Sequence, residues 1–580
     1  MIPTKNNVKN ILQWLSVIIL ICSLLFSINI PSAAQTPAPD LDDSVDLSAF
    51  MDGVLATSME SNHVPGAVVV VVKEGEVFFS KGYGYADLEN KIPVDPATTL
   101  FRPGSVSKLF TWTAVMQLVE AGKLDLDADV NTYLDFEIPA TFAQPITLRL
   151  IMTHLAGFED KGDGLFKLNA EDVSTLETYV KTNLPARVFP PGQYAAYSNY
   201  ATALSGYIVE RVSAMPFEKY ISKNILQPLQ MQHSTFEQPL PDHLANDMSK
   251  GYNYLNGEYI EGSFEFVVGN PAGALSATGL NMANFMIAHL QEGEFEGTRI
   301  LDPETARLMH SPLYRPDPQM GGMTYGFFFN TMNGQYTLSH GGDTMLFHSQ
   351  LYLLPESNVG IFVSTNGTAG NVVAEHVIET FINRYYPAEE NIPLIPTADF
   401  ASRADQYAGT YFLARSTFTT FEKVLTLMSP VNVRVKEERV LVTFGGKTLS
   451  YVEVEPGLLV NPDDPADKLV LNTIDNQISL TPPMPFVFLK IPWYRALSLH
   501  IFILAGGFIL FLITMISWFV SFVKGLKKRE KRPLLARLSR LSAGLFGFFY
   551  LSFMFAFGSI LTDTHPAFGV PRVFFGMPAH

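Results

Sequence analysis

Three short segments carry side chains that can do chemistry together: Ser105-Val106-Ser107-Lys108, Tyr197-Ser198-Asn199 and His340-Gly341-Gly342. A serine hydroxyl is almost fully protonated at neutral pH and needs help to become a nucleophile. A lysine three residues later on a helix sits one turn away, on the same face. Ser-x-x-Lys can therefore place an amine beside the hydroxyl it must activate. The order and spacing of the three segments point to acyl transfer through a serine.

Context separates these segments from chance matches. A second tetrad, Ser521-Phe522-Val523-Lys524, ends an apolar run that reads as a membrane helix, and Tyr254-Leu255-Asn256 also fits Tyr-x-Asn. Ser105 differs in its surroundings. Phe101-Arg102-Pro103-Gly104 supplies loop chemistry before it, and the largely apolar run Leu109–Leu118 follows, stopping near Gly122. That pattern predicts a buried helix with a glycine stop. Ser105 then sits at a helix N-terminus, where backbone N–H groups face developing negative charge.

On these residues the chain resembles the penicillin-recognising serine hydrolases, nearest the class C β-lactamases and the penicillin-binding-protein-like esterases and D-peptidases. The resemblance runs from near Ser48 to Tyr386. It is reinforced by His63-Val64-Pro65-Gly66-Ala67, by Leu150 to Gly157, which looks like a motif helix of the family, and by Phe189-Pro190-Pro191-Gly192 ahead of the Tyr-Ser-Asn loop. It implies that Ser105 is acylated, that Lys108 holds the proton balance, and that Tyr197 acts as base and then as acid to the leaving group. Asn199 would bond the substrate amide or the lysine. The N–H groups of Ser105 and Asp343 would form the oxyanion hole, with His340, Gly341 and Gly342 on the strand that carries it. Such donors contribute on the order of 3 kcal/mol each.

The third segment departs from the commonest family pattern, Lys-Thr-Gly. Lysine offers a permanent cation for a substrate carboxylate. Histidine, with a reference pKa of about 6.5, is mostly neutral at pH 7. This weakens the case for a dedicated β-lactamase and leaves esterase or D-amino-acid peptidase activity open. A Ser-Asp-Asn tripeptide is absent. So are a His-Glu-x-x-His run and a cysteine cluster, so neither a catalytic metal nor a cofactor is expected. His154 reads as a structural histidine, His348 as a pocket wall or structural residue, and Gly326 of Tyr325-Gly326 as a backbone requirement.

At 580 residues the chain is too long for one core. A net charge of −16 argues against nucleic acid as a partner. Residues 1–34 read as a secretory signal with a basic head (Lys5, Lys9), an apolar stretch from Ile11 to Ile28, and small residues at Ser32-Ala33-Ala34. The only cysteine, Cys22, lies inside it, so no disulfide is expected.

Elements that could position the three segments follow. After a linker at 35–47, the catalytic domain should occupy 48–386. Hairpins are predicted at Ala67–Val72 with Val77–Ser80, and at Gln350–Leu354 with Val359–Ser364, then a helix at Val372–Ile382. Strands at both ends with helices between imply one antiparallel sheet closed from both termini and a helical lobe. This is the α/β plus all-α arrangement of the resemblance, with the serine between the lobes. A linker is expected at 387–405, and short β segments at 406–490 resemble a small lipocalin-like barrel. That barrel would be a spacer, a lid or a wall-binding module. Residues 499–523 and 541–561 are each long and apolar enough to cross a bilayer. The basic loop 524–540 between them would stay cytoplasmic, placing the catalytic domain outside the membrane. The tail at 562–580 has no evident role.

The expected protein is a membrane-anchored extracytoplasmic serine hydrolase acting on a small peptide, an ester or a β-lactam. The alternative is a penicillin or peptidoglycan sensor that acylates but turns over poorly.

Overall fold

The computed structural model describes residues 39–162, 165–388, 394–420, 422–426, 429–525 and 533–569. The expected signal segment, residues 389–393 of the expected linker at 387–405, residues 526–532 of the basic loop and residues 570–580 of the tail lie outside them.

The run Gly66-Ala-Val-Val-Val-Val-Val-Lys73 forms β1, and its composition explains its place. Five consecutive β-branched residues present apolar side chains on both faces, so the strand must be buried on both. Val68, Val70 and Val72 face the main core beneath the helical lobe. Ala67, Val69 and Val71 face a second core made with the helices α1 (Ser44–Asn62) and α5 (Gly370–Tyr385). β1 turns through Glu74 and Gly75, both with positive φ, into β2 (Glu76–Asp87), with β3 (Ile92–Pro93) at the edge. The remaining strands come from the far end of the domain: β4 (Gly322–Met323), β5 (Phe328–Met332), β6 (Gln335–Asp343), β7 (His348–Leu354) and β8 (Val359–Thr365). The order is β4-β5-β6-β7-β8-β1-β2-β3, antiparallel throughout. Both expected hairpins are present, and the sheet closes from both termini.

Between these strands lies the helical lobe, including α2 (Ser107–Glu120), α3 (Asn199–Ser213) and α4 (Gly279–Leu290). Two local readings needed correction. The stretch from Leu150 to Gly157 is not one helix. Helix covers Leu148–Met152 only, because His154 and Gly157 adopt positive φ and turn the chain toward the Tyr197 loop. The largely helical middle also holds a hairpin, Gly251–Leu255 with Glu258–Gly262, turning at Asn256-Gly257. Asn-Gly with both residues at positive φ is the strongest short-range hairpin signal.

The second domain is a closed eight-stranded barrel running from Gly409–Leu413 to Phe488–Ile491. Its boundary lies earlier than the pattern of strands suggests. Residues 400–405, expected as linker, begin the helix Phe400–Tyr407, whose Phe400 and Tyr407 are part of the barrel core. The buried Glu453 carboxylate fastens this helix, accepting bonds from Arg403, Tyr407, Thr397 and the Gly457 N–H.

Two further helices follow, α6 (Leu497–Gly525) and α7 (Leu534–Thr562). Their spans Leu497–Lys524 and Leu534–Ser559 have mean hydropathies of 2.5 and 1.6, and almost none of either is covered by protein. Helices of this length and composition can cross a membrane. They pack on each other through Gly544 and Gly547, which lie against Trp518 and Phe511, and the Tyr550 hydroxyl donates to the Leu504 carbonyl at 2.7 Å. Small residues let apolar helices approach closely.

Gly326 shows how tightly the sheet meets the lobe. Its φ is +114°, and a Cβ there would overlap the ring of the fully buried Trp112 on α2. Gly326→Ala should destabilise the full-length protein by on the order of 3 kcal/mol. Thermal unfolding in detergent checks this, and a melting temperature equal to that of the parent would contradict it.

Candidate active site

Ser105 lies in a 3₁₀ turn, Gly104–Val106, that leads directly into α2. It is therefore just ahead of the helix rather than in its first turn. Ser107 locks the turn: its hydroxyl donates to the Gly104 carbonyl at 2.5 Å and accepts from the Leu275 N–H at 3.1 Å. Lys108 is one turn on, fully buried, with Nζ 2.9 Å from Ser105 Oγ. Nζ also donates to Asn199 Oδ1 at 2.8 Å and to the Ala272 carbonyl at 2.7 Å. Burial first, and then the nearby Arg415 charge, push the Lys108 pKa well below its ordinary value, although Asp160 opposes this. A neutral amine has two N–H groups and one lone pair. Asn199 and Ala272 offer only carbonyl oxygens, so they occupy the two N–H groups. In the neutral form, which burial favours, the lone pair would face the Ser105 hydroxyl; in the charged form Nζ donates to Ser105 Oγ as a third partner.

Tyr197 and Asn199 reach this point through a helix cap. Ser198 caps α3, its hydroxyl accepting from the Ala201 N–H at 3.1 Å. The chain before the cap is extended, so Tyr197 points back into the site and Asn199 opens the helix. The Tyr197 hydroxyl hydrogen-bonds Ser105, and the Lys108 ammonium position lies 4.7 Å from its ring. Burial raises the Tyr197 pKa, which bonding to Ser105 and the charge of Arg415 partly offset. His154 supports this loop. Its Nδ1 accepts from the Ser198 N–H at 3.3 Å, and its ring lies 4.3 Å from that of Tyr197. Burial holds His154 neutral by lowering its pKa well below the ordinary value.

The third segment is the end of β6, on the opposite side of Ser105. Two glycines make the approach possible. A Cβ on Gly342 would overlap the Pro103 carbonyl oxygen, and one on Gly104 would press into the Asp343 peptide. The backbones of the Ser105 turn and of Asp343 thus meet where a larger residue on either side would separate them. His340 is buried and stacks on Phe328 with ring centroids 4.7 Å apart. Its Nδ1 donates to the Gly341 carbonyl at 2.6 Å. Burial, helped by Lys108, lowers its pKa to about 3, against the bond to Gly341. His340 is therefore a neutral imidazole and no substitute for a lysine cation. Asp343 accepts from His348 Nδ1 at 2.6 Å, which gives His348 a positioning role beside the strand end.

These residues open onto a cavity of about 420 Å³ lined by Ser105, Tyr197, Asn199, His340, Gly341 and Asp343. All three segments found in the sequence converge there. The same cavity is lined by Arg415, Met484 and Phe486, which belong to the barrel. No sequence motif marked these residues, and they correct the expectation of a spacer: the barrel is a wall of the site. Arg415 lies 4.7 Å from the Tyr197 ring and donates to Asp160 Oδ2 at 2.7 Å. Its strap is bound to the catalytic domain. The buried Glu159 carboxylate accepts from the N–H groups of Phe418 and Thr419 at 2.7 and 2.9 Å and from the Thr419 hydroxyl at 2.6 Å. On the other side, the Tyr197 N–H donates to the Pro485 carbonyl at 3.1 Å. A permanent cation thus reaches the site from a different domain.

The family model described as Beta-lactamase matches residues 51–379. Among curated proteins, Protein flp of Staphylococcus aureus (strain N315) is 26% identical over 347 residues, covering 57% of this chain and 66% of that protein. Beta-lactamase-like protein 2 of Dictyostelium discoideum is 26% identical over 373 residues, 61% of this chain and 66% of its own length. The chain thus spans just under two thirds of these relatives. Among solved structures, the octameric penicillin-binding protein homologue from Pyrococcus abyssi aligns with a TM-score of 0.51 at 23% identity, over 77% of this chain and all of that one. SurE with D-Leu aligns at 0.54 and 20% identity, over 77% of this chain and 99% of the other. These structural matches extend the similarity of fold beyond the catalytic domain.

The charge of Arg415 lowers the pKa of both Lys108 and Tyr197. Whichever of them takes the Ser105 proton must be deprotonated first, so the rate rises as pH climbs through the pKa of that group. Removing the charge raises both. In Arg415→Gln, the acid limb of kcat/KM measured on a neutral ester should move to higher pH. An unmoved limb, or one shifted to lower pH, would contradict this electrostatic arrangement.

Proposed function

The chain belongs to the Beta-lactamase family, and from that premise we propose that it is a serine hydrolase cleaving amide or ester bonds through an acyl-enzyme on Ser105. The observation that carries this reading is the Lys108 amine. It lies 2.9 Å from Ser105 Oγ, with carbonyl partners for both of its N–H groups. The Ser105 oxygen attacks the substrate carbonyl as its proton passes to the Lys108–Tyr197 pair. The N–H groups of Ser105 and Asp343 hold the oxyanion. Tyr197 then returns the proton to the leaving atom, and water repeats the sequence on the acyl-enzyme.

Arg415 narrows the substrate class. It flanks the phenol that protonates the leaving group, so it is placed to bind an anion on the leaving side. A peptide whose departing residue carries a free carboxylate fits this position, as does the carboxylate of a β-lactam. Arg415 thereby takes the role that lysine plays in Lys-Thr-Gly. Removal of a charge-assisted hydrogen bond of this kind costs about 1.5–3 kcal/mol.

In the same reading α6 and α7 anchor the protein in a bilayer. Their apolar side chains, among them Phe502, Leu510, Phe519 and Phe522, are exposed and need lipid around them. The basic residues between the spans support a cytoplasmic connecting loop and a catalytic domain on the outer side.

Incubating the full-length protein with a fluorescent penicillin should add one adduct mass, and Ser105→Ala should abolish it while leaving the melting curve unchanged. On a D-alanyl peptide, Arg415→Ala should lower kcat/KM on the order of 10- to 100-fold. The C-terminal amide of the same peptide should be nearly insensitive to that change. Continuous product release identifies a hydrolase, whereas one equivalent followed by arrest identifies a sensor. Full turnover by Ser105→Ala would end the proposal.

A further inference from the structure

The segment that follows the second apolar helix does not trail away from the molecule. After Thr562 it makes a compact turn in which the Phe568 and Gly569 N–H groups donate to the His565 carbonyl at 3.1 and 2.8 Å. This turn lies against the catalytic domain. Asn253 Nδ2, on the Gly251–Gly262 hairpin, donates to the Pro566 carbonyl at 2.7 Å. The other end of that amide is fixed too, since Asn253 Oδ1 accepts from the Thr368 hydroxyl at 3.1 Å. Phe568 is 3% exposed and Ala567 6% exposed, and both are part of the main core of the catalytic domain.

What Phe568 covers gives the contact its meaning. It converges with Leu346 on Gly262, where a Cβ would meet the side chains of both. Leu346 sits in the turn Thr344–Phe347, which joins β6 to β7. That turn is closed by the Thr344 N–H donating to the Phe347 carbonyl at 2.8 Å, and it is tied by the Met345 N–H donating to Glu265 Oε1 at 2.6 Å. Asp343 and Thr344, immediately before Leu346, line the catalytic cavity. A continuous path of packed groups therefore runs from the end of α7 to the strand that faces Ser105.

We propose that Asp563–Gly569 is an intramolecular clasp, which docks between the Gly251–Gly262 hairpin and the Thr344–Phe347 turn and ties the active-site strand to the apolar helices. The occupant of this groove is the chain itself. The contact also constrains geometry: α6 starts shortly after the barrel strand Phe488–Ile491, and the segment after α7 is held on the catalytic domain. The pair of helices is then a closed staple instead of a single flexible tether. Its loss should loosen the turn that orients Asp343 without touching Ser105, Lys108 or Tyr197.

The test uses the full chain reconstituted in nanodiscs and compares amide hydrogen exchange of the parent, Phe568→Ala and Phe568→Leu. Phe568→Ala should speed exchange at residues 252–255 and 344–347 at least about five-fold, with barrel strands unchanged and Phe568→Leu close to the parent. Asn253→Ala, which removes only the bond to Pro566 and that to Thr368, should reproduce part of the effect. Unchanged exchange in both segments would overturn the clasp, as would a uniform rise through the whole domain. This readout needs no turnover, so it is independent of the hydrolase proposal. A parallel ester assay should show kcat falling about ten-fold in Phe568→Ala.

Discussion

The burial of one amine governs this site. Lys108 is fully buried, and Asn199 and the Ala272 carbonyl satisfy its N–H groups without offering a counter-ion. A charged group in that position is expensive, so the neutral form is favoured. This is the form that can receive a proton. The rest of the catalytic domain can be understood as what keeps the amine dry and aimed. α2 brings it beside Ser105, the cap of α3 delivers Tyr197 and Asn199, and the close approach of Gly104 and Gly342 closes the opposite side.

The permanent cation does not stand on β6, where His340 is a neutral ring. The cation instead arrives on a strap of the barrel, partnered by Asp160 and separated from the amine by the Tyr197 ring. Its field still reaches both titrating groups. The barrel is consequently part of the cavity wall, and Glu159, which binds the strap, is a positioning residue for Arg415.

The legible part of this arrangement was the meeting of its three segments. Ser105 and Lys108 are three residues apart on one helix, so their contact follows from local geometry. The five-valine run was readable as half of a hairpin, while the cap at Ser198 and the burial of β1 on both faces emerge only from the structure. Arg415 and Glu159 were illegible, because their partners are 218 to 260 residues away and no local pattern marks a contact made between two domains. The helix Phe400–Tyr407 was missed since eight residues with two apolar anchors look like linker. The hairpin at Asn256-Gly257 was readable from its turn and was obscured by the surrounding helical pattern. The tail lacked any signal, because Phe568 acquires its role only from a groove formed by distant strands.

The central claim is that Ser105 is the nucleophile and that it depends on an uncharged Lys108. Labelling the full-length protein with a serine-directed fluorophosphonate, followed by peptide mapping, tests it most directly. The expected result is a single modified residue, Ser105, with labelling at least about 100-fold slower in Lys108→Met. Modification of a different serine, or equal labelling rates with and without the amine, would contradict the account.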